Sequence, residues 1–141
     1  ILSEVSKKYK MPIYIIDGKQ WNIHKLDKYG IRLWKKSGPV GLLSLMNSAS
    51  IVLVQSFHGI VFSALFHKTF WSLRNKVIKN VNDDRARVIL AQTGLEKRAI
   101  CYDDLLNIDL KQDVDYTEVD VKIQQMRAKA FEYIESFLDG E

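Results

Sequence analysis

Cysteine occurs once in the 141 residues, at Cys101, so a disulfide framework and a cysteine-based zinc site are both excluded. A lone thiol suits a reducing cytoplasm. Proline occurs twice, at Pro12 and Pro39, and no low-complexity tract, repeat or linker divides the chain. Three histidines with no clustered cysteine or paired carboxylate motif give no metal-site signal. Between Val40 and Phe66 there is no Lys, Arg, Asp or Glu at all. A membrane span needs about 20 apolar residues, so that stretch has to be weighed as one. Asn47, Ser48, Ser50, Gln55, Ser56 and His58 stand in its middle, where each polar group is costly in hydrocarbon. A helix–strand–helix unit inside a protein core explains it better, and no transmembrane segment is expected. An initiator Met and a signal peptide are missing too. The chain opens Ile1-Leu2-Ser3-Glu4, as if in mid-helix, and the expectation is a single domain over residues 1–141 cut from a longer protein.

What is present argues for a packed domain. Apolar residues make up 47% of the chain, with six Phe, six Tyr and three Trp. Charge is unevenly spread. Residues 1–79 hold 13 Lys/Arg against 3 Asp/Glu, and residues 80–141 hold 8 against 14, giving +10 and −6 within a total of +4. A basic first half suits an anionic ligand. The basic residues are dispersed and no nucleic-acid motif accompanies them, so nucleic acid is not an expected partner.

Periodicity and punctuation set the elements. Leu2, Val5 and Tyr9 are spaced as a helix, and residues 12–17 read as a strand with Pro at its edge and a turn at Gly18. Residues 19–30 read as loop with one helical turn, and Ile31 to Trp34 as a short strand. Ser37-Gly38-Pro39 opens a helix through Ser48. A strand at 51–55, a helix after Ser56 and a strand at 69–73 come next. Residues 74–83 read as a basic, polar loop able to reach over a ligand. A helix from 84 to 93 stops at Gly94, a short strand is expected at 99–101, and a last helix spans 117–138. On that helix Val119, Ile123, Met126, Ala130, Ile134 and Phe137 form one stripe. Strand and helix alternating from 10 to 93 predict an α/β fold, a Rossmann-like parallel sheet with helices on both faces. Sites in such sheets lie at the carboxyl ends of the strands.

The stretch Ser50 to Phe66 carries the chemistry. Ile51 to Gln55 is mostly branched and apolar, as a strand buried on both faces should be. Ser56 then offers a cap hydroxyl, Gly59 permits close backbone approach, and an apolar helix begins. The free N–H groups and dipole of a helix start form a ready-made anion site. His58 falls in the first turn, and the alternative is a plain βα unit with a partly buried His. Ser56 is either a phosphate-binding hydroxyl or the helix cap alone. Asp103-Asp104 and Asp113 to Asp115 read as turn and cap residues, and Trp21, Trp34 and Trp71 as core, although one indole could stack on a sugar ring.

Ser56-Phe57-His58-Gly59 after an apolar strand, with Phe62-Ser63 and the Phe66-His67-Lys68-Thr69-Phe70 exit, resembles the carboxyl-terminal half of the polysaccharide pyruvyl transferases. Upstream, the Gly38-Pro39 helix start with Leu42 to Leu45 and Asn47-Ser48-Ala49 is similar to the family's entry into its signature strand. Downstream, Asn82 and Arg85, then Ile89-Leu90 and Gly94 to Arg98, are similar to its Arg-led helix. The likeness spans roughly residues 10 to 138. It implies a two-domain fold of the glycosyltransferase-B type, of which this chain is the second half and the amino-terminal half is absent. It also implies the reaction: pyruvate passes from phosphoenolpyruvate to two sugar hydroxyls as a cyclic ketal on a cell-surface polysaccharide or its precursor. Phosphoenolpyruvate is then the donor substrate, no cofactor is expected, and the work takes place in the cytoplasm or at the inner face of the membrane.

Under that resemblance His58 is the catalytic candidate, as acid, base or charged phosphate donor. Ser56, Gly59, Arg85 and Lys68 are the donor-binding candidates. Arg85 could grip phosphate or carboxylate with two parallel bonds. Lys68 either reaches the ligand or favours a helix carboxyl end. Two other readings stand beside this one: the carboxyl-terminal domain of a sugar-nucleotide glycosyltransferase, and a non-catalytic binding module. Gln55, Val40 and Gly41 depart from the family's pattern and support the module.

Overall fold

The structure is a computed structural model that describes residues 1–36, 38–74 and 85–138. The loop expected at 74–83 therefore lies, apart from Arg74, outside the described residues. The chain folds as mixed α/β. Its helices are α1 (Leu2–Tyr9), α2 (Gly18–Ile23), α3 (Gly38–Ser48), α4 (Phe57–Leu65), α5 (Arg85–Thr93) and α6 (Tyr116–Leu138). Its strands are β1 (Ile13–Ile15), β2 (Ile31–Leu33), β3 (Ile51–Val54), β4 (Thr69–Arg74) and β5 (Ala99–Cys101). Residues 19–30 hold more helix than the sequence suggests. The Asp17 carboxylate accepts from the Gln20 N–H at 3.0 Å and so starts α2.

Among the described residues all strand pairs are parallel, and they form two sheets rather than one. β1 pairs with β2, and β3-β4-β5 form the larger sheet. Residues 12–17 and 51–55 therefore do not share a sheet, contrary to the sequence-based expectation. Pro12 has no N–H to give a ladder and the chain turns at Asp17, so β1 keeps only three residues. Ile13 meets the larger sheet through its side chain, in the cluster that holds Ile51 and Leu53.

The larger sheet has a core on each face. Val52 and Phe70 point to one face and pack with Met46 of α3, Ile60 and Ala64 of α4, Leu90 of α5 and Val119 of α6. Trp71 and Leu73 point to the other, against Val5 of α1 with Leu105 and Leu110. Two successive crossovers, β3-α4-β4 and β4-α5-β5, step in the same direction along the sheet. With right-handed connections they put α4 and α5 side by side on one face, where the two do pack together.

Gly94 ends α5 as its position suggests. Its φ is +73°, and the Leu95 N–H reaches back to Leu90 O at 2.8 Å. The stripe on α6 is only partly used. Val119 is buried and Ile123 packs on the core, whereas Ile134 and Phe137 are exposed. Among the described residues no helix is long and apolar enough to cross a membrane.

Candidate functional site

β3 delivers the chain to its carboxyl edge, where Ser56 is still extended (φ −93°, ψ 152°) and α4 begins at Phe57. The Ser56 hydroxyl oxygen accepts from the Gly59 N–H at 3.1 Å. Phe57 and His58 occupy the first two helical positions, whose N–H groups have no acceptor within an α-helix. His58 is exposed, and its ring meets that of Phe57 edge to face with centroids 5.5 Å apart. The imidazole thus stands at the helix start, open to solvent.

Gly59 permits the close approach its position suggests, and the element that approaches is the end of β3. Gly59 is buried, and a Cβ built on it would lie 2.8 Å from Val54 Cγ1 and 2.9 Å from Val54 Cβ. Its missing side chain is what lets α4 lie against the end of β3. Ser63 tightens the same turn by donating to Gly59 O at 2.7 Å.

Arg85 opens α5 and is exposed. The chain leaves β4 at its carboxyl end and must return to the amino end of β5, so α5 runs against the strands and starts on the carboxyl side. Arg85 therefore shares an edge with Ser56 and His58. Arg74 joins them there. It is the last residue of β4, half-buried, and pairs in register with Cys101. Val54 pairs with Ser72, so continuing the register two residues sets Ser56 level with Arg74. The sequence alone assigns Arg74 to the loop after β4; a cation ending an apolar strand is the signal that could have found it.

Lys68 is not brought to this edge. It precedes Thr69, the partner of Ile51, at the amino end of the sheet. A strand rises about 3.3 Å per residue, so the six residues to Arg74 put Lys68 roughly 20 Å from the Ser56 turn, beyond the reach of a lysine side chain. Its ammonium donates instead to Asn47 O at 2.5 Å and Ala49 O at 3.2 Å, closing the carboxyl end of α3. This is the second of the two roles left open for it.

The other histidines are elsewhere. His24 bonds Gln20 at 2.9 Å. His67 is stacked on Tyr116 with centroids 4.5 Å apart and meets Asp120 at 2.9 Å. Among the described residues no three His, Cys, Asp or Glu side chains are grouped to hold a metal. Burial pushes the Tyr116 hydroxyl above the usual tyrosine range, and its O–H donates to Lys68 O at 2.5 Å. Burial likewise lowers Arg98, whose guanidinium donates to Gln112 O and Asp113 O and lies 4.6 Å from the Trp71 ring. Both groups are on the amino side of the sheet, and packing accounts for both shifts.

A scan against family models, a search of curated proteins and a search of solved structures each found no match.

Proposed function

We propose that this chain is the donor-binding, carboxyl-terminal half of a polysaccharide pyruvyl transferase, a Rossmann-like domain in a two-domain fold of the glycosyltransferase-B type. One observation carries the reading most: a capped helix start at the carboxyl edge of a parallel strand, with an exposed imidazole in its first turn. The Ser56 hydroxyl spends one lone pair on the Gly59 N–H, and its own hydrogen remains to donate. Cap and phosphate ligand are therefore compatible roles. The anionic end of phosphoenolpyruvate would sit over the N–H groups of Phe57 and His58, with Arg85 and Arg74 supplying positive charge from the neighbouring elements. His58 would then either hold the phosphate as imidazolium or move a proton to the enol methylene or from a sugar hydroxyl.

The exposed part of α6, with Ile134 and Phe137, would face the amino-terminal half, which completes the cleft. A sugar nucleotide also presents phosphates to such a turn, so both donors belong in one experiment. In a protein that includes the amino-terminal half, phosphoenolpyruvate affinity and turnover are measured beside sugar-nucleotide turnover. A charge-assisted hydrogen bond contributes about 1.5–3 kcal/mol, so Arg85→Ala should weaken phosphoenolpyruvate binding about ten- to a hundredfold. His58→Ala should lower turnover. If both variants, still folded, bind and turn over donor like the parent, the site is elsewhere and the turn is only structural.

A further inference from the structure

A second surface, sharing no residue with the Ser56 turn, has the chemistry of a ligand platform. The outward side of the β1–β2 sheet opens into a shallow groove of about 910 Å³, within the range typical of small-ligand sites. Tyr14 and Arg32 are cross-strand partners in its floor. The Arg32 guanidinium donates to the Tyr14 hydroxyl at 3.2 Å and lies 5.9 Å from its ring. Trp34 meets Tyr14 edge to face at 5.7 Å, and the Lys36 ammonium lies 5.7 Å from the Trp34 ring.

These aromatics are fixed in place rather than loosely displayed. The Trp34 N–H continues the ladder to Ile15 O at 2.8 Å, and its indole donates to Gly41 O at 3.0 Å. The Trp21 indole, on the groove wall, donates to Ile31 O at 2.9 Å. Yet Tyr14 is left 39% exposed. Rigid aromatic surface beside cations is a surface on which a ring-shaped anionic ligand can stack.

We infer that this groove binds an acidic oligosaccharide: sugar rings lie on Tyr14 and Trp34, and carboxylate or ketal-borne anionic groups meet Arg32, Lys35 and Lys36. Three cations face one carboxylate, Asp27, in the lining. The net positive charge of that lining suits an anionic ligand, and Asp27 can accept hydrogen bonds from sugar hydroxyls beside it. The floor is also short. Strands of three residues span roughly 10 Å, room for about two sugar rings and short beside the about four or more nucleotides of a single-strand site. The choice of an acidic sugar rests on the carbohydrate reading of the Ser56 turn, while the groove's geometry does not.

The test uses the chain as it is, titrated with tetragalacturonate, neutral maltotetraose and an octathymidylate, with tryptophan emission as the readout. Tetragalacturonate should shift the emission saturably and bind at least about tenfold tighter than maltotetraose, since a charge-assisted contact is worth that factor. Tyr14→Ala and Arg32→Gln, both exposed and so expected to fold, should each weaken it about tenfold. The same variants should leave phosphoenolpyruvate binding by the longer protein unchanged. No saturable response to tetragalacturonate, tighter binding of the octathymidylate, or full binding by both folded variants would each overturn the inference. Groove binding without any phosphoenolpyruvate binding would instead defeat only the donor reading.

Discussion

At the scale of single residues, the Ser56–Gly59 turn shows how one position can serve fold and ligand at once. Gly59 serves the fold: with Val54 Cγ1 only 2.8 Å from where its Cβ would be, Gly59→Ala must push α4 off β3. Overpacking of that kind costs about 1–3 kcal/mol, so urea unfolding should register a loss of that size. Ser56 separates the two roles. Ser56→Ala loses the cap and should cost about 1 kcal/mol. Ser56→Asp keeps a capping oxygen but brings a negative charge and no donor, so it should retain stability while losing phosphoenolpyruvate binding. An Asp variant that binds the donor like the parent would leave the turn with a structural role only.

Elements are held by polar contacts on the opposite edge of the sheet. Arg98, 7% exposed, bonds the carbonyls of Gln112 and Asp113 and lies over Trp71. It fixes the segment that leads into α6 against the sheet. Tyr116 then ties the first turn of α6 to Lys68 O, and Lys68 ties β4 to the end of α3. Arg98→Ala leaves two carbonyls without their donor and a gap beside an indole. It should cost about 3 kcal/mol in chemical denaturation, with Arg98→Lys recovering little because an ammonium lacks the planar fork. A loss below about 1 kcal/mol would show that the segment is held by its apolar contacts, chiefly Leu110 and Val119, instead.

For the whole molecule, the division of labour is between edges. The carboxyl edge gathers Ser56, His58, Arg74 and Arg85, and the amino edge gathers the stabilising cluster of Lys68, Arg98 and Tyr116. On the proposed reading the acceptor side of the cleft comes from the amino-terminal half. These 141 residues alone should then bind phosphoenolpyruvate weakly and catalyse no pyruvyl transfer. Pyruvate-transfer assays with the chain alone and with the longer protein check this, and full turnover by the chain alone would refute the two-half reading.

Much of the fold was legible in the sequence, because it depends on local chemistry. Branched residues at 51–54 make a strand, Ser56 caps the helix after it, Gly94 can take the left-handed φ that ends α5, and apolar spacing marks α6. Each of those is settled within a few residues along the chain. The sharing of strands between two sheets was not legible, since ladder formation by Ile13–Ile15 depends on which backbone groups meet in space. Lys68 and Arg74 show the same limit. Both are cations at the ends of β4, alike in a one-dimensional reading, and only the direction of the strand puts Arg74 beside the turn and Lys68 roughly 20 Å away. Local sequence determined the elements and the capped turn; parallel packing decided which charges share an edge, because that depends on chain direction through the sheet rather than on any residue's own preference.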